Sequence, residues 1–193
     1  MSPRSAEPSI RRTLKSHPDG PAGAAIGIEA EAQRGSGGRL RLRFVVTGDA
    51  GAILFPSPAA PGKADGLWRH TCFEAFVRAP AEAGYLELNF SPSGQWAAYR
   101  FSDYRIGLKP VDELPPPEIE AHYEAGRYEL AAALDLEPAL GLLADLPWQL
   151  GLTAVIETSD GGKSWWAVEH PAGEPDFHHR DCFALELPPP KRP

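Results

Sequence analysis

Cysteine, methionine and clustered positive charge are what this sequence has least of. Its 193 residues hold two cysteines, Cys72 and Cys182, and a single methionine, Met1. Two cysteines are too few for a disulfide scaffold. They read as two small buried hydrophobes, with a bridge left open should their strands prove adjacent. Lys and Arg total 19 against 26 Asp and Glu, for a net charge of -7. Basic residues pair up only at Arg11-Arg12 and Lys191-Arg192. Such a chain offers no basic stripe, so neither nucleic acid nor an anionic membrane surface is expected as a partner. No apolar run approaches a membrane span. The first twenty residues lack the apolar centre of a secretory signal, which with the Ala/Pro/Gly-rich, bacterial kind of composition predicts a cytoplasmic location. A Gly-x-Ser-x-Gly elbow and a glycine-rich phosphate loop are missing. Helical periodicity is scarce, and residues 136–144 form the only convincing helical stretch.

What is abundant is turn chemistry and alternation. The 21 prolines and 19 glycines fall in clusters between short periodic segments, which suits many strands joined by turns. Leu67 to Arg105 organises the rest. Phe73, Ala75 and Val77 alternate with Cys72, Glu74 and Phe76; Leu86, Leu88 and Phe90 alternate with Tyr85, Glu87 and Asn89. After the turn Ser91-Pro92-Ser93-Gly94, Trp96, Ala98 and Arg100 alternate with Ala97, Tyr99 and Phe101. Taking the second set as the core set puts Trp96 and Arg100 on one polar face with Glu74, Glu87 and Asn89. On either side lie further alternating runs: Ile26–Ala32 against Leu40–Phe44, Ile119–Tyr123 against Tyr128–Leu134, and Leu150–Glu157 against Ser164–His170. Ser159-Asp160-Gly161-Gly162 is a hairpin turn. About ten strands, one short helix and no βαβ pattern predict an all-β antiparallel sandwich of jelly-roll type. The expected domain is 10–187, flanked by flexible tails at 1–9 and 188–193.

Five tryptophans are many for this length. Trp165 and Trp166 are neighbours on a strand and point to opposite faces, Trp166 inward and Trp165 outward. The plainer reading of each tryptophan is buried area; the functional one is a clamp, because a flat indole stacks on the apolar face of a sugar ring. Trp68 follows a loop and Trp165 follows a turn, both favourable for a clamp at a sheet edge. His178 and His179, near Asp176 and Asp181, lack the spacing of a metal centre and read as loop anchors or ligand hydrogen-bonders. No metal or cofactor is expected. Glu74 and Glu87 on neighbouring strands form the one carboxylate pair that would serve a glycosidase. The plainer reading pairs one of them with a cation such as Arg100.

These residues resemble the family 9 carbohydrate-binding modules and the wider DOMON-like superfamily. The likeness spans about Ala25 to Leu187 and is strongest over Trp68-Arg-His-Thr-Cys-Phe-Glu74, Tyr85-Leu-Glu-Leu-Asn89-Phe-Ser-Pro-Ser-Gly94 and Trp96 to Tyr99. It implies a jelly-roll fold and a non-catalytic module that clamps a sugar terminus between tryptophans. Carried over, Trp68 and Trp165, or in second place Trp166, are the walls, and Glu74 and Arg100 hold hydroxyls. Asn89, Trp96, His178 and His179 complete the candidate set, with a small molecule or oligosaccharide as partner. Other DOMON-like domains bind haem through an axial methionine. With Met1 alone, that alternative would need two of His70, His122, His170, His178 and His179. A protein-interaction module, and a small glycoside hydrolase using Glu74 and Glu87, are the remaining alternatives.

Overall fold

The computed structural model describes residues 7–20, 25–80, 82–140 and 146–190. They form thirteen strands: β1 (Ser9–Ser16), β2 (Ile26–Arg34), β3 (Arg39–Gly48), β4 (Gly62–Lys63), β5 (Cys72–Arg78), β6 (Tyr85–Phe90), β7 (Gln95–Phe101), β8 (Lys109–Pro110), β9 (Glu118–Glu124), β10 (Arg127–Asp135), β11 (Trp148–Glu157), β12 (Lys163–Ala167) and β13 (Leu185–Leu187). The alternating runs of the sequence become these strands, and the turn-rich segments join them. Two of the thirteen, β4 and β8, are two-residue pieces too short to leave a periodic signal. The helix is one turn, Glu137–Leu140; residues 141–144 of the expected stretch lie outside the described residues, as do 1–6 and 191–193 of the expected tails.

The strands follow one path, β4-β7-β6-β5-β11-β12-β1-β2-β3-β10-β9, with β13 beside β11 and β8 beside β7. The expectation of purely antiparallel pairing is corrected at β4, which runs parallel to β7 with Gly62 beside Gln95. The expected two sheets are likewise joined into a single curled one. β1 pairs with β2 from Ser9 to Leu14, then crosses to β12 at Lys15 and Ser16. That crossing lets the half built on β2, β3, β9 and β10 fold over the half built on β5, β6, β7 and β11.

The reason for the fold-over is hydrophobic. Ile28, Leu42, Phe44 and Leu130 from one half and Phe73, Leu88, Phe90 and Leu152 from the other belong to one buried cluster. Phe44 and Phe73 meet across it with ring centroids 5.1 Å apart. Each such side chain contributes about 1.5–3 kcal/mol by leaving water. Behind the first half, outward charges pair: Arg43 with Glu129 at 2.6 Å and Arg11 with Glu31 at 2.7 Å. These exposed pairs add little each, typically about 0–1 kcal/mol.

The second half is buried on both faces, and this positions the site. β5 and β6 are covered throughout, apart from half-buried Arg78. Their second face carries its own apolar cluster, including Phe76, Tyr85, Tyr99 and Phe101. Phe177 and Phe183, from the segment that follows β12, cover it. Gly151 of β11 makes the close cover possible, since a Cβ there would lie 2.9 Å from the Cys182 carbonyl oxygen.

The candidate cleft on the second sheet face

Register fixes which side chains reach this second face. Glu74 lies opposite Asn89, Glu87 opposite Phe76 and Tyr99, and Thr153 opposite Glu74. Glu74, Glu87, Asn89, Tyr99 and Thr153 therefore stand side by side on one sheet face. Phe90 lies opposite Trp96, and Leu86 opposite Arg100. Phe90 and Leu86 belong to the main core, so Trp96 and Arg100 share the core-facing side. The expected placement of Trp96 and Arg100 beside Glu74 is thus corrected. Trp96 is buried in the main core. Arg100 reaches the sheet margin, where it donates to Glu113 at 2.9 Å and to the Ala139 carbonyl at 2.8 Å. It has no part in holding either Glu74 or Glu87.

Above the face lies a cleft of about 370 Å³. Glu74 and Glu87 lie at its floor, Trp68, Tyr99 and Trp165 on its walls, and Arg105, Phe177 and His178 along its cover. Trp68 comes from the 3-10 turn Leu67–Arg69 that leads into β5, is 40% exposed, and meets Tyr99 in a T-shaped contact. Trp165 packs against the aromatic cluster of this face. Trp166 points the other way, packs on the main core and donates its indole N–H to Ser164 at 2.9 Å. His179 lines a neighbouring recess rather than the cleft, and its Nδ1 accepts from the Asp181 backbone N–H.

The floor is unusual in its charge. Glu74 is 2% exposed, its Oε2 accepts from Thr153 at 3.2 Å, and its Oε1 has no hydrogen-bond partner. Burial, and then the neighbouring Glu87, push the Glu74 carboxyl well above its ordinary range. Burial also raises Glu87, opposed by the Asn89 amide, which donates to Glu87 Oε1 at 2.8 Å, and by Arg105. Burial of two carboxyls on one sheet face disfavours the state in which both are ionised. Asn89 is wholly buried and positions Glu87 rather than facing the cleft itself.

The cover is clamped by Asp176. Its carboxylate accepts from the Tyr104 hydroxyl, from Arg105 Nη2 at 2.7 Å and from the His178 backbone N–H at 3.1 Å. Burial pushes Asp176 up, but these donors outweigh it and hold the group below its ordinary value. Arg105 adopts a left-handed φ of 56° in the turn after β7. Its backbone N–H donates to the Tyr85 hydroxyl, which is hydrogen-bonded to His178 Nδ1 at 2.8 Å. His178 Nε2 lies 3.7 Å from Glu87 Oε2. Burial, reinforced by Arg105, lowers the His178 pKa to about 4, so the ring is neutral at neutral pH.

No protein-family model matches the sequence, and no curated protein matches it. Solved structures do resemble the fold. A candidate carbohydrate-binding protein of Bacteroides uniformis aligns over 89% of this chain and 83% of its own, with a TM-score of 0.64 and 12% identity. A family 9 carbohydrate-binding module of Caldicellulosiruptor kristjanssonii in complex with cellotriose aligns over 83% and 74%, with a TM-score of 0.46 and 10% identity. The same description with glucose gives a TM-score of 0.44 over 88% and 76%. At these identities the first likeness is one of fold.

Of the expected residues, Trp68, Glu74, Trp165 and His178 converge on the cleft, with Asn89 beneath it; Trp96, Arg100, Trp166 and His179 do not. Tyr99, Arg105, Thr153 and Phe177 belong to the site and carried no periodic signal of it. The cysteines are both buried and free, and burial raises both thiols, Cys182 to about 12, which disfavours the thiolate. Among the described residues no group of three or more His, Cys, Asp or Glu is arranged to hold a metal. Among the described residues His178 is the one histidine that lines the cleft.

Proposed function

We propose that this protein is a non-catalytic binding module for a small polar ligand with an apolar face, such as the terminal ring of a sugar. The observation that carries this reading is the cleft itself, in which Trp68 and Trp165 wall a polar floor of Glu74 and Glu87. Its volume lies within the range of small-ligand sites, and few polar groups in an aromatic setting are what such sites use to orient a ligand. Indole faces would cover the ring's C–H surface while the carboxyls take its hydroxyls. The fold shared with the Bacteroides protein, itself described as carbohydrate-binding, supports the reading, as does the sequence resemblance at Trp68–Glu74 and Tyr85–Tyr99. We read the scaffold as a jelly-roll-type sandwich whose halves are joined through β1.

Hydrolysis is the weaker reading. Glycosidase carboxyls flank the scissile bond, whereas Glu74 and Glu87 rise side by side from one sheet face beneath the cleft. That arrangement suits holding. The test is a tryptophan-fluorescence titration against mono- and oligosaccharides, wild type beside Trp68→Ala. Saturable quenching by at least one sugar, weakened about tenfold or more in the variant, is expected from the loss of an aromatic wall worth about 1–2 kcal/mol. A folded wild type that responds to no sugar would refute the reading.

A further inference from the structure

The floor of the cleft lacks something that buried carboxyls require. Glu74 Oε1 is buried without a hydrogen-bond partner. Glu87 Oε1 is taken by Asn89, and Glu87 Oε2 faces a His178 nitrogen at 3.7 Å, beyond hydrogen-bond reach. Among the described residues the one guanidinium or ammonium on the cleft is Arg105, and its Nη2 is bound to Asp176. Both carboxyls line the cleft, and neither has a cation within hydrogen-bond reach, Arg105 acting on Glu87 only through space. Buried charge without a partner is expensive, and proteins ordinarily pair it.

We propose that the ligand supplies the missing cation: the cleft takes an amino sugar, its ring between Trp68 and Trp165 and its ammonium over the Glu74–Glu87 pair. The proposal rests on the binding-module reading given above and specifies its ligand class. An ammonium has three N–H donors and no acceptor, which matches the unshared lone pairs of the two carboxyls that line the cleft. A hydroxyl supplies one donor and no charge. The walls act in the same direction, since Trp68, Tyr99 and Trp165 line the cleft and aromatic rings attract organic cations.

Charge balance gives the binding a signature. In this assignment the ammonium takes the place of a proton on the empty pair, whose ionisation burial disfavours, so binding transfers that proton to solvent while both carboxylates remain to hold the cation. Other groups facing the pair do not supply or absorb it. Cys72, Tyr85 and Tyr99 are raised by burial and stay protonated. His178 is neutral, and Arg105 and Asp176 keep their charges. β11 and β12 present Thr153, Val155 and Trp165, none of which titrates.

The experiment is calorimetric titration of the wild-type protein near pH 6 with glucosamine, glucose and N-acetylglucosamine, in two buffers of different ionisation heat. At that pH the amine is protonated. Glucosamine is expected to bind at least about tenfold more tightly than the two neutral sugars, with proton release seen as a buffer-dependent heat. In Glu87→Gln, and independently in Glu74→Gln, the preference should fall towards one. Should either replacement prevent folding, the other carries the comparison. Equal or tighter binding of a neutral sugar, still dependent on Trp68, would overturn the ammonium while leaving the module reading in place. Absence of binding by all three sugars to folded protein would overturn the amino-sugar assignment, and the module reading falls with it when the wider panel of mono- and oligosaccharides is silent too. Preference for glucosamine that persists in both Gln variants would overturn the role assigned to the carboxyl pair.

Discussion

Glu74 shows how much a single residue's surroundings decide. An ordinary surface glutamate is ionised near neutrality, yet here burial and Glu87 favour the protonated form. A group whose pKa is higher in the folded than in the unfolded chain stabilises the fold at low pH, and that stabilisation is lost as pH rises through the folded value. The Glu74 contribution is therefore complete below its ordinary value of 4.5 and declines above it. His178 works in the opposite sense: lowered from 6.5 to about 4, it makes the fold lose stability as pH falls below 6.5. Subtracting a variant from the wild type separates the two. Urea midpoints of wild type and Glu74→Gln, measured from pH 5 to 9, should diverge in favour of the variant as pH rises. Midpoints that stay parallel across that range would mean Glu74 is not buried as a proton-bearing acid.

At the scale of elements, the cover matters as much as the floor. The segment between β12 and β13 lies on the sheet because Gly151 presents no side chain beneath it. A Cβ there would meet the Cys182 carbonyl oxygen at 2.9 Å and Phe76 Cβ at 3.5 Å, and a backbone carbonyl cannot step aside as a side chain would. Gly151→Ala should lift the Arg180–Cys182 turn and, with it, the Asp176–His178 clamp. We expect a loss of about 1–3 kcal/mol in denaturant unfolding, the usual cost of overpacking. The same variant should show weaker sugar quenching. Wild-type stability together with wild-type affinity would show that the cover does not depend on that contact.

The strands were readable in the sequence because period-2 alternation follows directly from the pleat. β5 and β6 announced the Glu74, Glu87 and Asn89 face correctly for that reason. β7 did not, because Gln95-Trp96-Ala97-Ala98-Tyr99-Arg100-Phe101 is apolar on both faces, and counting apolar residues favours the wrong one. The turn held the answer: Ser91–Gln95 closes the hairpin so that Phe90 lies opposite Trp96, and cross-strand partners share a face. Trp68 and Trp165 were legible as candidates through their flanking turns. Tyr99 and Thr153 were not, since a site residue on a doubly buried strand has the same pattern as a core residue. The clamp through Asp176, Tyr104 and Arg105 joins segments about seventy residues apart, a relation that no local period encodes.

The whole molecule depends on the crossing at β1. One half of the curled sheet carries the cleft; the other supplies most of the opposing wall of its core. β1 hydrogen-bonds to both, through β2 and through β12. Leu14, 2% exposed and the last residue of β1 paired with β2, lies in the shared core just before the crossing. With a single core, the halves should unfold together. Tryptophan fluorescence, which reports Trp68 and Trp165 at the cleft as well as Trp96 and Trp148 in the core, should then coincide with far-UV circular dichroism in one urea transition. Leu14→Ala leaves a cavity at the joint and should lower stability by about 2–5 kcal/mol. The two signals should stay coincident, because the cavity weakens both halves at once. Two separated transitions in the variant, with the strand signal outlasting the cleft tryptophans, would instead mean that each half holds a core of its own and that β1 merely tethers them.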